Sequence, residues 1–170
     1  PANPQNPDTG VHRQNGAALV KHPVSIAISD RFQPDEVAIR PGAKTHVWRY
    51  RGKLLSGPVG ALEESTDRYP GPIICVRQGQ RVRIDLINGL PESTIIHWHG
   101  LHVPEEMDGH PRFAIGPGER YVYEFKVVNR AGSYWFHPHP HGRTGKQVYF
   151  GMAGLFLVTD DEEAALNLPD

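Results

Sequence analysis

Residues 80–88 read QRVRIDLIN, with an apolar side chain at every second position from Val82. Successive side chains of an extended chain face opposite ways. Val82, Ile84 and Leu86 therefore share one face, and Arg81, Arg83 and Asp85 the other. Residues 121–127, YVYEFKV, repeat the pattern, with Tyr121, Tyr123, Phe125 and Val127 on one side. Two half-buried strands of this kind need a second apolar layer to cover them.

Working outward, β-branched and aromatic runs predict strands over Val24–Ser29, Thr45–Tyr50, Ile73–Arg77, Arg81–Asn88, Thr94–His99, Tyr121–Val128, Tyr134–His137 and Leu155–Thr159. Turn signals separate several of them: Gln78-Gly79, Asn88-Gly89-Leu90-Pro91 and Gly116-Pro117-Gly118. Ser56–Tyr69 is polar and irregular and reads as a loop. Short strands with few helical segments predict an all-β sandwich. At 170 residues the chain suits one domain with its own core and is short for two. The expected organisation is an extended arm over 1–22, a domain over 23–160, and a tail over 161–170. DDEEAALNL, residues 160–168, is expected to begin a short helix or to be a linker to a domain outside this chain.

Composition excludes several classes. Lys plus Arg is 18 and Asp plus Glu 19, so 18 − 19 gives a net charge of −1, which favours neither nucleic acid nor an anionic membrane. No stretch approaches the ~20 apolar residues of a membrane span. No basic-then-apolar signal opens the chain, and PANPQNPDTG is expected to be an extended start exposed by processing. Cys75 is the only cysteine, so no internal disulfide forms; inside PIICV it is expected to be a small buried hydrophobe. Ser-His-Asp and phosphate-cradling glycine patterns are absent.

Chemistry concentrates in two segments. HWHGLHVPEEMDGHPRF, residues 97–113, holds four of the ten histidines, and GSYWFHPHPHG, residues 132–142, holds three more. Side chains at i and i+2 of a strand project together, so His97 and His99 aim one way with Trp98 opposite. His137 and His139 form a second pair if Pro138 sits in extended backbone; lacking an N–H, it predicts an edge strand or rim there. A single HxH is commonly two surface histidines. Two such pairs brought side by side give four converging imidazoles, a set suited to copper or zinc. His102 reads as structural, His110 and His141 as flanking groups, and His12, His22 and His46 as solvated or locally bonded. Asp108, on residues alone, reads as an Asp-Gly turn.

Three stretches carry a family likeness: YPGPIICVRQGQRVRIDLIN (69–88), IIHWHGLHVPEEMDG (95–109) and GSYWFHPHPHGRTGKQVYFGMAGLFLV (132–158). Together they resemble the first cupredoxin domain of multicopper oxidases, closest to the bacterial periplasmic cuprous oxidase, bilirubin oxidase and laccase branch. The resemblance implies a single-domain, cupredoxin-like Greek-key β-sandwich and copper as cofactor. It implies His97 at the type 2 copper, His99, His137 and His139 at the type 3 pair, and Asp108 assisting proton delivery. It also implies dioxygen as oxidant, a phenolic, metal-ion or other small reductant, and a periplasmic or secreted location. The family places eight histidines on its trinuclear cluster, and this sequence matches four. The HxxHxH and HCHxxxH motifs of the last domain, with the type 1 copper cysteine, are absent. The expected partner is therefore the remaining cupredoxin domains of the same oxidase, possibly as a separate chain. A copper-binding module for storage, delivery or sensing is the alternative.

Overall fold

A computed structural model describes residues 23–31, 35–64 and 71–167; the arm expected over 1–22 lies outside them. The strands are β1 (Val24–Arg31), β2 (Asp35–Val37), β3 (Thr45–Val47), β4 (Tyr50–Ser56), β5 (Leu62–Glu63), β6 (Ile73–Arg77), β7 (Arg81–Gly89), β8 (Ile96–His99), β9 (Arg120–Lys126), β10 (Gly132–Pro138) and β11 (Gly154–Thr159). Two short helices, α1 (Thr144–Tyr149) and α2 (Asp161–Ala165), flank β11. One sheet has the order β4-β1-β7-β9 and the other β5-β6-β11-β10-β8, with β2 and β3 forming a small ribbon. Each main sheet contains one parallel pair, β1 with β7 and β6 with β11. Among the described residues no helix is long and apolar enough to cross a membrane.

The alternating runs do what their period dictates. Val82, Ile84 and Leu86 of β7 and Val24, Ile26 and Ile28 of β1 are buried, facing Ile74, Val76, Phe156 and Val158 of the other sheet. Trp98 lies among them, fully buried, with its ring 5.1 Å from Tyr123, 5.4 Å from Phe136 and 5.9 Å from Phe156. Each such side chain contributes about 1.5–3 kcal/mol by leaving water. On the outer face of β7, Asp85 is covered by Arg83 at 3.2 Å and Arg120 at 2.7 Å, and Arg83 also pairs with Glu124.

Several elements differ from the sequence reading. The single strand expected over Thr45–Tyr50 is two strands, because the Trp48 N–H leaves the sheet to donate to the Phe150 carbonyl at 2.9 Å. Trp48 then stacks on Phe150 at 4.9 Å. Strand β4 continues to Ser56, and the expected loop contains β5, whereas residues 65–70 are outside the described set. Helix α1 was not anticipated. The tail begins as helix α2, N-capped by the Asp160 carboxylate, which accepts from the Glu163 N–H at 2.8 Å.

Tertiary contacts hold α1 in place. Gln147, wholly buried, accepts from the Thr94 hydroxyl at 2.9 Å and donates to the Ser93 carbonyl at 2.9 Å and to Glu92 at 3.1 Å. Lys146 adds a 2.6 Å pair with Glu92. Burial pushes the Glu92 carboxyl up, but hydrogen bonds from Lys146 and Gln147 outweigh it and hold the group below its ordinary value. Gln147→Leu preserves volume while leaving buried polar partners unpaired. It should lower stability by about 1–3 kcal/mol, read as a lower urea midpoint at unchanged slope.

Candidate metal centre

The histidines come together through one strand pairing. β8 and β10 run antiparallel with His97 opposite His137, Trp98 opposite Phe136 and Trp135 opposite His99. Paired residues share a face, so burying Trp98 and Phe136 inward turns His97 and His137 outward. Pro138 ends β10, and its neighbours resolve the expectation of an edge: β8 is the edge strand, while β10 lies inside the sheet. Proline is tolerated there because Phe136 is the last residue of β10 with a partner on β11. His139 then follows, its N–H donating to the Ile95 carbonyl at 2.8 Å.

One ring nitrogen each from His97, His99 and His137 lies within 4.8 Å of the others, and among the described residues this is the group of three donors able to share a metal. His99 Nδ1 is 3.3 Å from His137 Nε2. His139 is not one of these three, but its ring is adjacent, with its centroid 5.2 Å from His97 and 6.0 Å from His137. Trp135 lies over the two rings beside it, 5.0 Å from His99 and 4.4 Å from His137.

Backbone carbonyls fix two tautomers. His97 Nδ1 is 2.7 Å from the Asp108 carbonyl oxygen, and His137 Nδ1 is 2.9 Å from the Pro138 carbonyl. Carbonyls only accept, so both Nδ1 atoms carry the proton and both Nε2 atoms keep a lone pair. Burial holds His137 below the ordinary imidazole range, against the pull of the Pro138 carbonyl and with the help of the neighbouring imidazoles. Burial, then the His97 ring, does the same to His139. His139 Nδ1 is buried with no hydrogen-bond partner. Neutral imidazoles with free lone pairs and an unsatisfied buried ring nitrogen are what a copper ion requires of its ligands, so these residues fit one.

The Asp108 carboxylate is 3.2 Å from His97 Nδ1, and its side chain is 44% exposed, so it touches both the site and solvent. Two 3-10 turns, Glu105–Met107 and Pro111–Phe113, flank it, tied by an Arg112–Glu105 pair at 2.7 Å. Among the described residues the other histidines are not in this group, and His12 and His22 lie outside the described set. His102 presents its backbone N–H to Asn129 at 2.8 Å, His110 caps the second 3-10 turn, His141 is exposed, and His46 pairs with Glu36 at 3.6 Å. Sequence reasoning missed Tyr123 and Asn129. The Tyr123 hydroxyl accepts from the Ile96 N–H at 2.8 Å and donates to the Ile96 carbonyl at 3.1 Å, anchoring the edge strand next to His97. Asn129 donates to the Gly100 carbonyl at 2.9 Å and fixes the turn after His99. Only the shared apolar face of residues 121–127 hinted that Tyr123 pointed inward.

With fold and site together, the chain is defined as a cupredoxin-like Greek-key β-sandwich bearing a histidine cluster on one sheet face. Residues 61–163 match the multicopper oxidase family, and the chain belongs to that family. Multicopper oxidase mco of Staphylococcus aureus is 42% identical over 93 residues, covering 55% of this chain and 21% of its own length. The iron transport multicopper oxidase FET3 of Candida albicans is 37% identical over 146 residues, covering 75% of this chain and 23% of its own. Among solved structures, the McoA multicopper oxidase of Aquifex aeolicus superposes with a TM-score of 0.69 at 36% identity, over 84% of this chain and 28% of that one. The chain thus spans about a seventh to a quarter of the curated relatives it matches.

Cys75 lies apart from the cluster, and the expectation of a core position needs correction. It alternates with buried Ile74 and Val76, so it faces outward beside Leu157 and is half-buried. Burial, aided by the Glu63 carboxylate, pushes its thiol up to about 11. Its thiolate should be scarce at pH 8. Labelling by a disulfide reagent in the native chain should run roughly 100-fold slower than for free cysteine, accelerating with pH, and should become fast in denaturant.

Proposed function

We propose that the chain is the first cupredoxin domain of a multicopper oxidase and supplies half of a trinuclear copper cluster. His97 would hold the type 2 copper, and His99, His137 and His139 the type 3 pair. When bound, the copper cluster would relay to dioxygen the four electrons, all drawn from the reductant, that reduce it to water. The observation that carries this reading is the convergence of three donor nitrogens within 4.8 Å on the open face of a sheet. Two of these rings are already held in the ligating tautomer by backbone carbonyls.

This chain's residues would hold the metals, keep the imidazoles neutral and handle protons. The Asp108 carboxylate, beside His97 and reaching solvent, is placed to accept and release a proton at Oδ1. Electron entry would belong elsewhere, since Cys75 sits within the apolar run PIICV with no histidine beside it. The remaining ligands and the reductant site would come from further cupredoxin domains, in the same or a separate chain. The reductant would be phenolic, a metal ion or a similar small molecule, and the location periplasmic or extracellular.

Copper per chain, measured by elemental analysis, should fall by half or more in His97→Ala and His139→Ala. The 170-residue chain alone should show no oxidase activity, and should gain it with a polypeptide carrying the missing motifs. Unchanged copper in both variants would remove the metal assignment. Oxidase turnover by the chain alone would refute the half-site, and copper binding without any activating polypeptide would favour storage or delivery.

A further inference from the structure

Resting on the reading of His97 as a ligand, we propose that Gly109 is a positioning residue for it, acting through the Asp108 carbonyl rather than the Asp108 carboxylate. Both acceptors face His97 Nδ1, the carbonyl at 2.7 Å and the carboxylate at 3.2 Å, and one N–H serves the nearer. The carbonyl reaches that distance only because the chain lies directly on the β8 backbone. A Cβ at position 109 would stand 1.9 Å from the Ile96 carbonyl oxygen, 2.4 Å from the Ile96 carbonyl carbon and 2.7 Å from the His97 nitrogen. Gly109 also has φ +75°, where a side chain is disfavoured.

The obstacle cannot step aside. The Ile96 carbonyl accepts from the buried Tyr123 hydroxyl at 3.1 Å, and the same hydroxyl holds the Ile96 N–H. Strand β8 is further pinned by its pairing with β10. Any side chain at 109 therefore lifts the turn away from β8 by more than ~1 Å, which takes the Asp108 carbonyl out of hydrogen-bond range of Nδ1. The proton is then free to move to Nε2, the atom that must keep its lone pair. The carboxylate, relieved of this duty, stays available to the proton chemistry proposed above.

The test reads the His97 tautomer in the metal-free chain by long-range 1H–15N correlation spectra, so its outcome does not depend on whether copper binds. Wild type should show Nδ1–H. Asp108→Ala, which keeps the carbonyl, should retain that pattern. Gly109→Ala should lose it to Nε2–H or to a mixture. Gly118→Ala carries the same kind of backbone strain, at φ +79° with open space around its Cβ, and should leave the pattern intact. Loss of the Nδ1–H signature in Asp108→Ala, or its retention in Gly109→Ala, overturns the proposal. If Gly109→Ala does not fold, Asp108→Ala still decides between carbonyl and carboxylate.

Discussion

The antiparallel pairing of β8 with β10 sets His97 opposite His137 on one face and Trp98 opposite Phe136 on the other. Everything at the centre depends on that register. A slip of one residue would expose two large aromatic rings and drive imidazoles into the core. Burial of Trp98 and Phe136 contributes several kcal/mol in total, far more than any contact between the imidazoles can return. The apolar side of the strand thus decides where the polar side points, and the donors are aimed before a metal arrives. The edge position of β8 would leave this loosely fixed, since an edge strand has one neighbour. Tyr123 supplies the second restraint from the opposite sheet by gripping both backbone groups of Ile96.

Crowding imidazoles has an electrostatic cost, which the fold eases at His137 and His139 by disfavouring their charged form. Desolvation disfavours the imidazolium form of His137 and His139, and each neighbouring ring adds to the effect. The carbonyls of Asp108 and Pro138 then select which nitrogen keeps the remaining proton. Neutrality and tautomer are separate requirements, and separate features meet them at His137: burial favours the first and the carbonyl at the end of β10 the second, as the turn at Asp108 does for His97. A cation at this position would return what desolvation took.

Much of this was legible in the residues. Period-two alternation gave the strands at 81–88 and 121–127, and the two HxH pairs gave the faces of His97, His99 and His137. What escaped depended on partners distant in sequence. Helix α1 is six residues long and contains Gly145, so nothing local recommends it; Gln147, bonding to Ser93 and Thr94 some fifty positions away, holds it. The break at Trp48 depends on Phe150 in the same way. Of the edge strand or rim that Pro138 predicted, the rim is what forms, because the pairing with β11 stops at Phe136. Asp108 drew attention as an acidic side chain, whereas its backbone oxygen makes the shorter contact with His97.

On the half-site reading, the same face shows what would hold one half in shape. The histidines draw their order from the sandwich core and from backbone carbonyls. The residues around them are less self-sufficient. Trp135 remains 37% exposed and Leu155, paired with it on β11, 44% exposed, an apolar strip running on from His99 across the sheet. On the half-site reading, a second domain bearing the other ligands would cover this strip and the histidines together. Preorganised donors lower the entropy that such an encounter must spend. On that reading, donors already ordered beside a half-exposed apolar strip would leave little further ordering to this side of the encounter.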